Sequence, residues 1–239
     1  MKRVCYTWIM RLTENVRPSG TALLAFVLFC LYLGPRPPQV QALEPMGLVV
    51  RAGIIAILED NGLEGDPSPI LPSPGIGLSV PLGPFHFEPG LDMYATYYGY
   101  SDNLERSVPY AIENRSALVI GSVLNLPVEF GLSMAGLFGL RIFAGPSADL
   151  RLCIAADGLE GADLKEATDE TAKIAAYFWS SGRWLFGMAG AGVDLPVSGR
   201  ITLGIDGRTW YPAYRLWSGE NLPPAENVRF ALTIRVLYR

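Results

Sequence analysis

NVRFALTIRVLYR, residues 227–239, decides how the chain is read. Its even positions, Val228, Phe230, Leu232, Ile234, Val236 and Tyr238, are all apolar. Its odd positions carry Asn227, Arg229, Ala231, Thr233, Arg235, Leu237 and Arg239. A two-residue period puts these sets on opposite faces of a β-strand. One face is therefore fully apolar, and the other bears three arginines.

The same period recurs seven more times toward the N-terminus, over 47–58, 75–82, 85–98, 116–135, 140–154, 183–197 and 200–214. The 183–197 stretch is the least decisive, because GMAGAG (187–192) blurs its two faces. Short turns are expected at 82–84, 136–139 and 197–199, and long connections at 59–73, 101–114, 157–182 and 218–226. Eight strands with alternating short and long links make an up-and-down antiparallel meander with one busy end.

Composition decides which way such a meander faces. Half of the 239 residues are apolar, 18% are charged, and lysine occurs only at Lys2, Lys165 and Lys173. A soluble barrel coats its outside with Lys and Glu, whereas here no strand carries a lysine. Aromatics gather toward the long-loop ends (Tyr97, Tyr98, Tyr100, Trp179, Trp184, Tyr211, Tyr214, Trp217). Phe85, Phe87, Phe230 and Tyr238 are assigned to the opposite rim. Two aromatic girdles are expected where a barrel meets both membrane interfaces. The expected fold is all-β, an eight-stranded antiparallel up-and-down transmembrane β-barrel.

Residues 1–42 read as a cleaved signal peptide. Basic Lys2, Arg3, Arg11 and Arg17 precede an apolar run over 21–34, and Val40-Gln41-Ala42 ends it with a small-x-small site. The run is shorter than the roughly 18–20 residues that span a bilayer. Translation starting at Met10 would shorten the long basic region. The expected barrel domain is 43–239. Its 14 basic and 22 acidic side chains give a formal charge of −8, with no basic stripe for nucleic acid. Cys153 is its only cysteine, so it has no intrachain disulfide.

Three stretches carry a resemblance: LNLPVEFGLSMAGLFGLRIFAGPSADLRL (124–152), VDLPVSGRITLGIDGRTWYP (193–212) and the closing 227–239 segment. Over most of 43–239 the chain resembles the small bacterial outer-membrane β-barrels, such as the OmpA transmembrane domain and OmpW. The resemblance implies an outer-membrane location with both termini periplasmic. It also implies recognition by the outer-membrane assembly machinery, which reads a terminal aromatic. Here Tyr238 is penultimate and Arg239 is last. Likeness to OmpW implies a narrow channel for small hydrophobic or ionic solutes as the alternative function.

An eight-stranded barrel is just filled by its own side chains. The faces turned inward carry Arg51, Arg141, Arg151, Arg200, Arg208, Arg229 and Arg235 with Glu88, Asp92, Glu129, Asp149, Asp194 and Asp206. Buried charges must pair, and the arginine fork suits carboxylates. A structural plug is the preferred reading, with a narrow ion or proton path the alternative. The sole histidine, His86, falls at the short-turn rim, away from the outer face where a catalytic base would be needed. Cys153 reads as a small filler, GMAGAG as room for large neighbours, and no Cys/His set has metal spacing. No enzyme activity, cofactor or metal is therefore expected. The sequon at Asn114 has little meaning in a bacterial chain.

The loops remain as contact surfaces for an extracellular partner, through 59–73, 101–114, 157–182 and 218–226. LKEATDETAKIAAYF (164–178) suits a short helix with Leu164, Ala167, Ala172, Ala175 and Phe178 to one side. The loops are acidic overall. The expected function is thus a structural or surface-interaction (adhesin- or antigen-like) barrel with the lipid bilayer as its surroundings.

Overall fold

The computed structural model describes residues 46–58, 69–102, 105–110, 117–134, 138–155, 161–218 and 227–239. The signal-peptide and sequon assignments, and most of the 59–73 and 218–226 connections, lie outside these residues. The strands are β1 (Gly47–Leu58), β2 (Ile70–Leu82), β3 (Phe85–Phe87), β4 (Gly90–Ser101), β5 (Arg106–Tyr110) and β6 (Ala117–Asn125). They continue as β7 (Val128–Met134), β8 (Phe138–Ala155), β9 (Leu185–Pro196), β10 (Ile201–Pro212) and β11 (Val228–Tyr238). Helix α1 (Gly161–Trp179) lies between β8 and β9.

Eight staves close into a ring. β3 with β4 forms one stave and β6 with β7 another, each interrupted where a proline removes a backbone donor, at Pro89 and Pro127. The interruptions are stitched together in a row. Leu78 donates its N–H to Pro89, Glu88 to Pro127, and Leu126 to Pro146. The opening segment closes the ring: β11 pairs antiparallel with β1 along its whole length, from Leu48 with Tyr238 to Leu58 with Val228.

Cross-strand partners trace the closure. From Leu71 they run through Ile55, Ala231, Arg208, Gly190, Phe143, Glu129 and His86, then return to β2 at Pro81. The displacement is 81 − 71 = 10 residues. A stagger of that kind goes with strands tilted roughly 35–45° in a closed barrel.

Burial is inverted relative to a soluble protein. Ile234 is 60% exposed while its neighbour Arg235 is 1% exposed. Leu48, Val50 and Ile54 face out while Arg51 is buried, and Ile205 faces out while Asp206 is fully buried. A continuous apolar exterior around a charged interior fits a barrel wall in hydrocarbon, where a closed ring leaves no sheet edge unsatisfied.

Several sequence assignments need correction. Residues 70–73 belong to β2 rather than to the first long connection. Inside the 101–114 connection, β5 folds back to pair with the end of β4. Phe230 pairs with Ala56 and Thr209 toward the long-loop end, not the short-turn rim. Tyr98 and Tyr214 turn inward and are buried instead of joining a girdle. Among the α1 side chains described, those from Lys165 on, Ala167, Ile174 and Phe178 are buried, while Ala172 is exposed. The 3.6-residue period favours Ile174, a larger apolar side chain on the same stripe.

Candidate functional site: the charged interior and its cap

The inward positions nearest the short turns form a closed loop of alternating charge. Arg51 Nη1 lies 2.9 Å from Glu88 Oε1, and its Nε 3.0 Å from Asp92 Oδ1. Arg208 bridges Asp92 at 3.1 Å and Asp206 at 3.0 Å. Arg141 meets Asp206 at 2.5 Å and Asp194 at 2.7 Å. Arg235 reaches Asp194 at 3.7 Å and pairs with Glu88, which closes the loop. Glu129 hangs on Arg141 at 3.0 Å. Every stave except β2 contributes, so the network ties seven parts of the wall together.

Neutral side chains complete it. Asn125 donates to Asp92 at 2.7 Å and accepts from Ser147 Oγ at 2.7 Å and Trp210 Nε1 at 2.8 Å. Glycine makes the space. A Cβ at Gly90 would collide with the Arg51 guanidinium, and one at Gly75 with the Asp92 carboxylate.

An apolar layer also occupies the interior, built from Ile55, Ile57, Tyr94, Val123, Phe143, Phe186, Met188, Trp210 and Ala231. A second charged group sits toward the long loops. Asp149 Oδ2 accepts from Tyr94 OH at 2.8 Å, from Arg229 Nη2 at 2.6 Å and from Arg151 Nε. The Arg229 guanidinium stacks 4.4 Å from the Phe186 ring centre. Arg151 stacks 4.1 Å from that of Phe178, which belongs to α1. Phe178 also meets Tyr98 edge to face at 4.9 Å, and Ile174 packs with Ala117 and Val119. The helix thus caps the barrel.

Polar contacts fix the cap from the side. Tyr100 N–H donates to Glu170 at 2.8 Å, and Lys173 reaches Asp102 at 3.1 Å. That hydrogen bond, with the attraction of the same carboxylate, raises the Lys173 amine above its ordinary pKa. Arg183 stacks on Tyr177 at 4.2 Å, and Trp217 Nε1 donates to Ser181 O at 3.0 Å. Between α1 and the β4–β5 hairpin lies a cleft of about 510 Å³ bordered by Tyr100, Asp102, Lys165, Glu166, Asp169 and Lys173.

Of the thirteen charged residues assigned to the interior, twelve lie there in two groups. The lower group holds four arginines and five carboxylates; the upper holds Asp149 with Arg151 and Arg229. Six cations therefore face six anions. Arg200 is the exception and is corrected: it lies exposed in the short turn before β10, where its carbonyl accepts from Arg239 N–H. Alternation extended one residue ahead of the start of β10 turns it inward. Sequence reasoning missed Asn125's bridging role and the inward Phe186. Phe186 shares the parity of the charged positions, and that is the signal that could have found it. His86 pairs across from Glu129 at the short-turn end, and Cys153 packs half-buried against the upper apolar cluster. Among the described residues, no cluster of His, Cys, Asp or Glu could hold a metal ion.

A closed eight-stranded ring with an apolar exterior and an ion-paired interior defines a transmembrane β-barrel of the outer-membrane type. Among solved structures, the chain is similar to Neisserial surface protein A (NspA), with 12% identity, a TM-score of 0.48, and coverage of 81% of this chain and 96% of that one. It is also similar to Ail, the attachment invasion locus protein of Yersinia pestis, with 5% identity, a TM-score of 0.41, and coverage of 81% and 95%. Ail in complex with the heparin analogue sucrose octasulfate matches at 6% identity and a TM-score of 0.39, covering 81% and 95%. No family model and no curated protein matches the sequence.

Proposed function

We propose that this barrel is a non-conducting, non-enzymatic scaffold of the bacterial outer membrane that holds a helix and a hairpin at the cell surface for contact with an extracellular partner. The observation that carries this reading is the closed loop of ion pairs, backed by the apolar layer and capped by Phe178. Together they occupy the axis that a solute would follow. In this reading the signal peptide leaves after Ala42, the outer-membrane assembly machinery inserts the chain, and both termini face the periplasm. The exposed outer end carries Asp102, Glu105, Glu166, Asp169 and Glu170 against Lys165 and Lys173, which favours a basic partner over a sulfated one.

Planar-bilayer recording of the refolded protein tests this. A silent bilayer at protein levels where folded barrel is demonstrably inserted is the expected result. Stable unitary steps would replace the scaffold with the OmpW-like channel for small hydrophobic or ionic solutes.

A further inference from the structure

One side of α1 looks across at the β4–β5 hairpin. Glu166, Glu170, Lys173 and Tyr177 lie three or four residues apart, so the helix brings them to a single face. Two hollows separate this face from the hairpin. The cleft of about 510 Å³ lies against the first half of α1. A second, of about 590 Å³, lies toward the end of the helix, beside Glu105, Ala176, Tyr177, Ser180 and Arg183. Both are bordered by Tyr100, Asp102 and Lys173. The Lys173 side chain is therefore the bar between them.

The bar rests in a small seat. Its ammonium lies 3.1 Å from Asp102 Oδ1 and 5.4 Å from the centre of the Tyr100 ring. Tyr100 is anchored by its own backbone N–H, which donates to Glu170 at 2.8 Å. A carboxylate beside a ring face suits an ammonium, and here the chain's own lysine supplies one. That occupant is loosely held. The Lys173 side chain is 54% exposed and that of Asp102 79%, so water screens the pair. Asp169, one turn back on the same helix, offers Lys173 another carboxylate when it leaves. The two hollows together are bordered by five carboxylates, Asp102, Glu105, Glu166, Asp169 and Glu170, against Lys165, Lys173 and Arg183.

We propose that this cleft takes a lysine side chain of an extracellular protein, whose ammonium replaces that of Lys173 between the Asp102 carboxylate and the Tyr100 ring. Three features select this occupant. The seat already holds an ammonium; the exchange is like for like, so no charge is left unmatched; and the surrounding excess of carboxylates draws a basic surface toward it. Withdrawal of Lys173 also joins the two hollows into one groove along α1, long enough for neighbouring residues of the partner. The inference rests on the reading of the barrel as a scaffold for a basic partner, and it names the place and the group by which that partner is held.

The test measures binding of a dye-labelled tetralysine peptide, by fluorescence anisotropy, to the full chain in nanodiscs of zwitterionic lipid. Lys173→Met empties the seat and should tighten binding several-fold. Lys165→Met borders the same cleft and changes the charge equally, but leaves the seat filled, so its gain should be clearly smaller. Tyr100→Leu alters no charge and should weaken binding by roughly two- to fivefold, the size of an exposed cation–π contact. Asp102→Asn, added to Lys173→Met, should remove the gain. Equal gains from the two lysine variants, or unchanged affinity in Tyr100→Leu, would overturn the seat and leave the basic-partner reading standing. Absence of tetralysine binding to every one of these proteins would overturn both.

Discussion

Replacing Arg141 by Met is the sharpest perturbation of the interior. Arg141 touches three carboxylates, Glu129, Asp194 and Asp206, at 3.0, 2.7 and 2.5 Å. At an effective dielectric constant of about 20, a unit pair some 3 Å apart gains roughly 5 kcal/mol, which the desolvation of buried ions largely offsets. Removing one partner loses the attraction and keeps the desolvation of the others, a net loss of about 3–5 kcal/mol. Glu129 would be left with no other cation bonded to it among the contacts described, while Asp194 and Asp206 keep Arg235 and Arg208. The assay is urea unfolding of the barrel in lipid vesicles, followed by the mobility difference between folded and boiled protein on a detergent gel. Arg200→Met, in the exposed turn, serves as the control and should leave the midpoint unchanged. If the Arg141 variant unfolds with the control, the interior charges are water-solvated and the ion-pair loop does not hold the wall.

Further expectations follow from the upper half. Asp149→Ala removes the shared anion of Arg151 and Arg229, so the same urea assay should show a loss of about 3–5 kcal/mol; a change below 1 kcal/mol would mean water replaces the carboxylate. Phe178→Ala empties the contact with Arg151 and Tyr98, and core truncations of this size cost about 3–5 kcal/mol. Because the loss falls on the cap, limited proteolysis should cut within α1 while the barrel stays folded; unchanged resistance would show that the cap is held elsewhere. Gly121→Val drives a side chain into the Tyr94 ring and should lower stability by about 1–3 kcal/mol in the urea assay. A neutral result there would contradict the inward packing of Tyr94.

The strands were legible because their side chains follow a strict two-residue period with different solvents on the two sides, as at Ile234 and Arg235. The closed register follows from that period once β11 meets β1. The inward parity also identified which charges meet, but not how. Asp149 and Arg151 stand two residues apart on β8, but that Arg229 joins them across the barrel depends on the ten-residue stagger, which no local pattern encodes. Arg200 failed because alternation says nothing about where a strand ends and a turn begins. The Pro89 and Pro127 interruptions needed the direction of each peptide group, known only after pairing. In α1, a helix was readable from composition, but its buried stripe was set by what waits below it, the Arg151 guanidinium and the Tyr98 ring.

The most direct test of the inside-out barrel returns to residues 228–238. Single cysteines placed along this segment, in protein whose other cysteines are replaced, can be spin-labelled in lipid vesicles and probed with oxygen, which concentrates in the bilayer. High oxygen accessibility is expected at Phe230, Leu232 and Ile234, and low accessibility at Arg229, Ala231, Thr233 and Arg235, in strict alternation. An opposite phase, or accessibility without a two-residue period, would contradict a barrel that turns its apolar face to lipid and its arginines to the lumen.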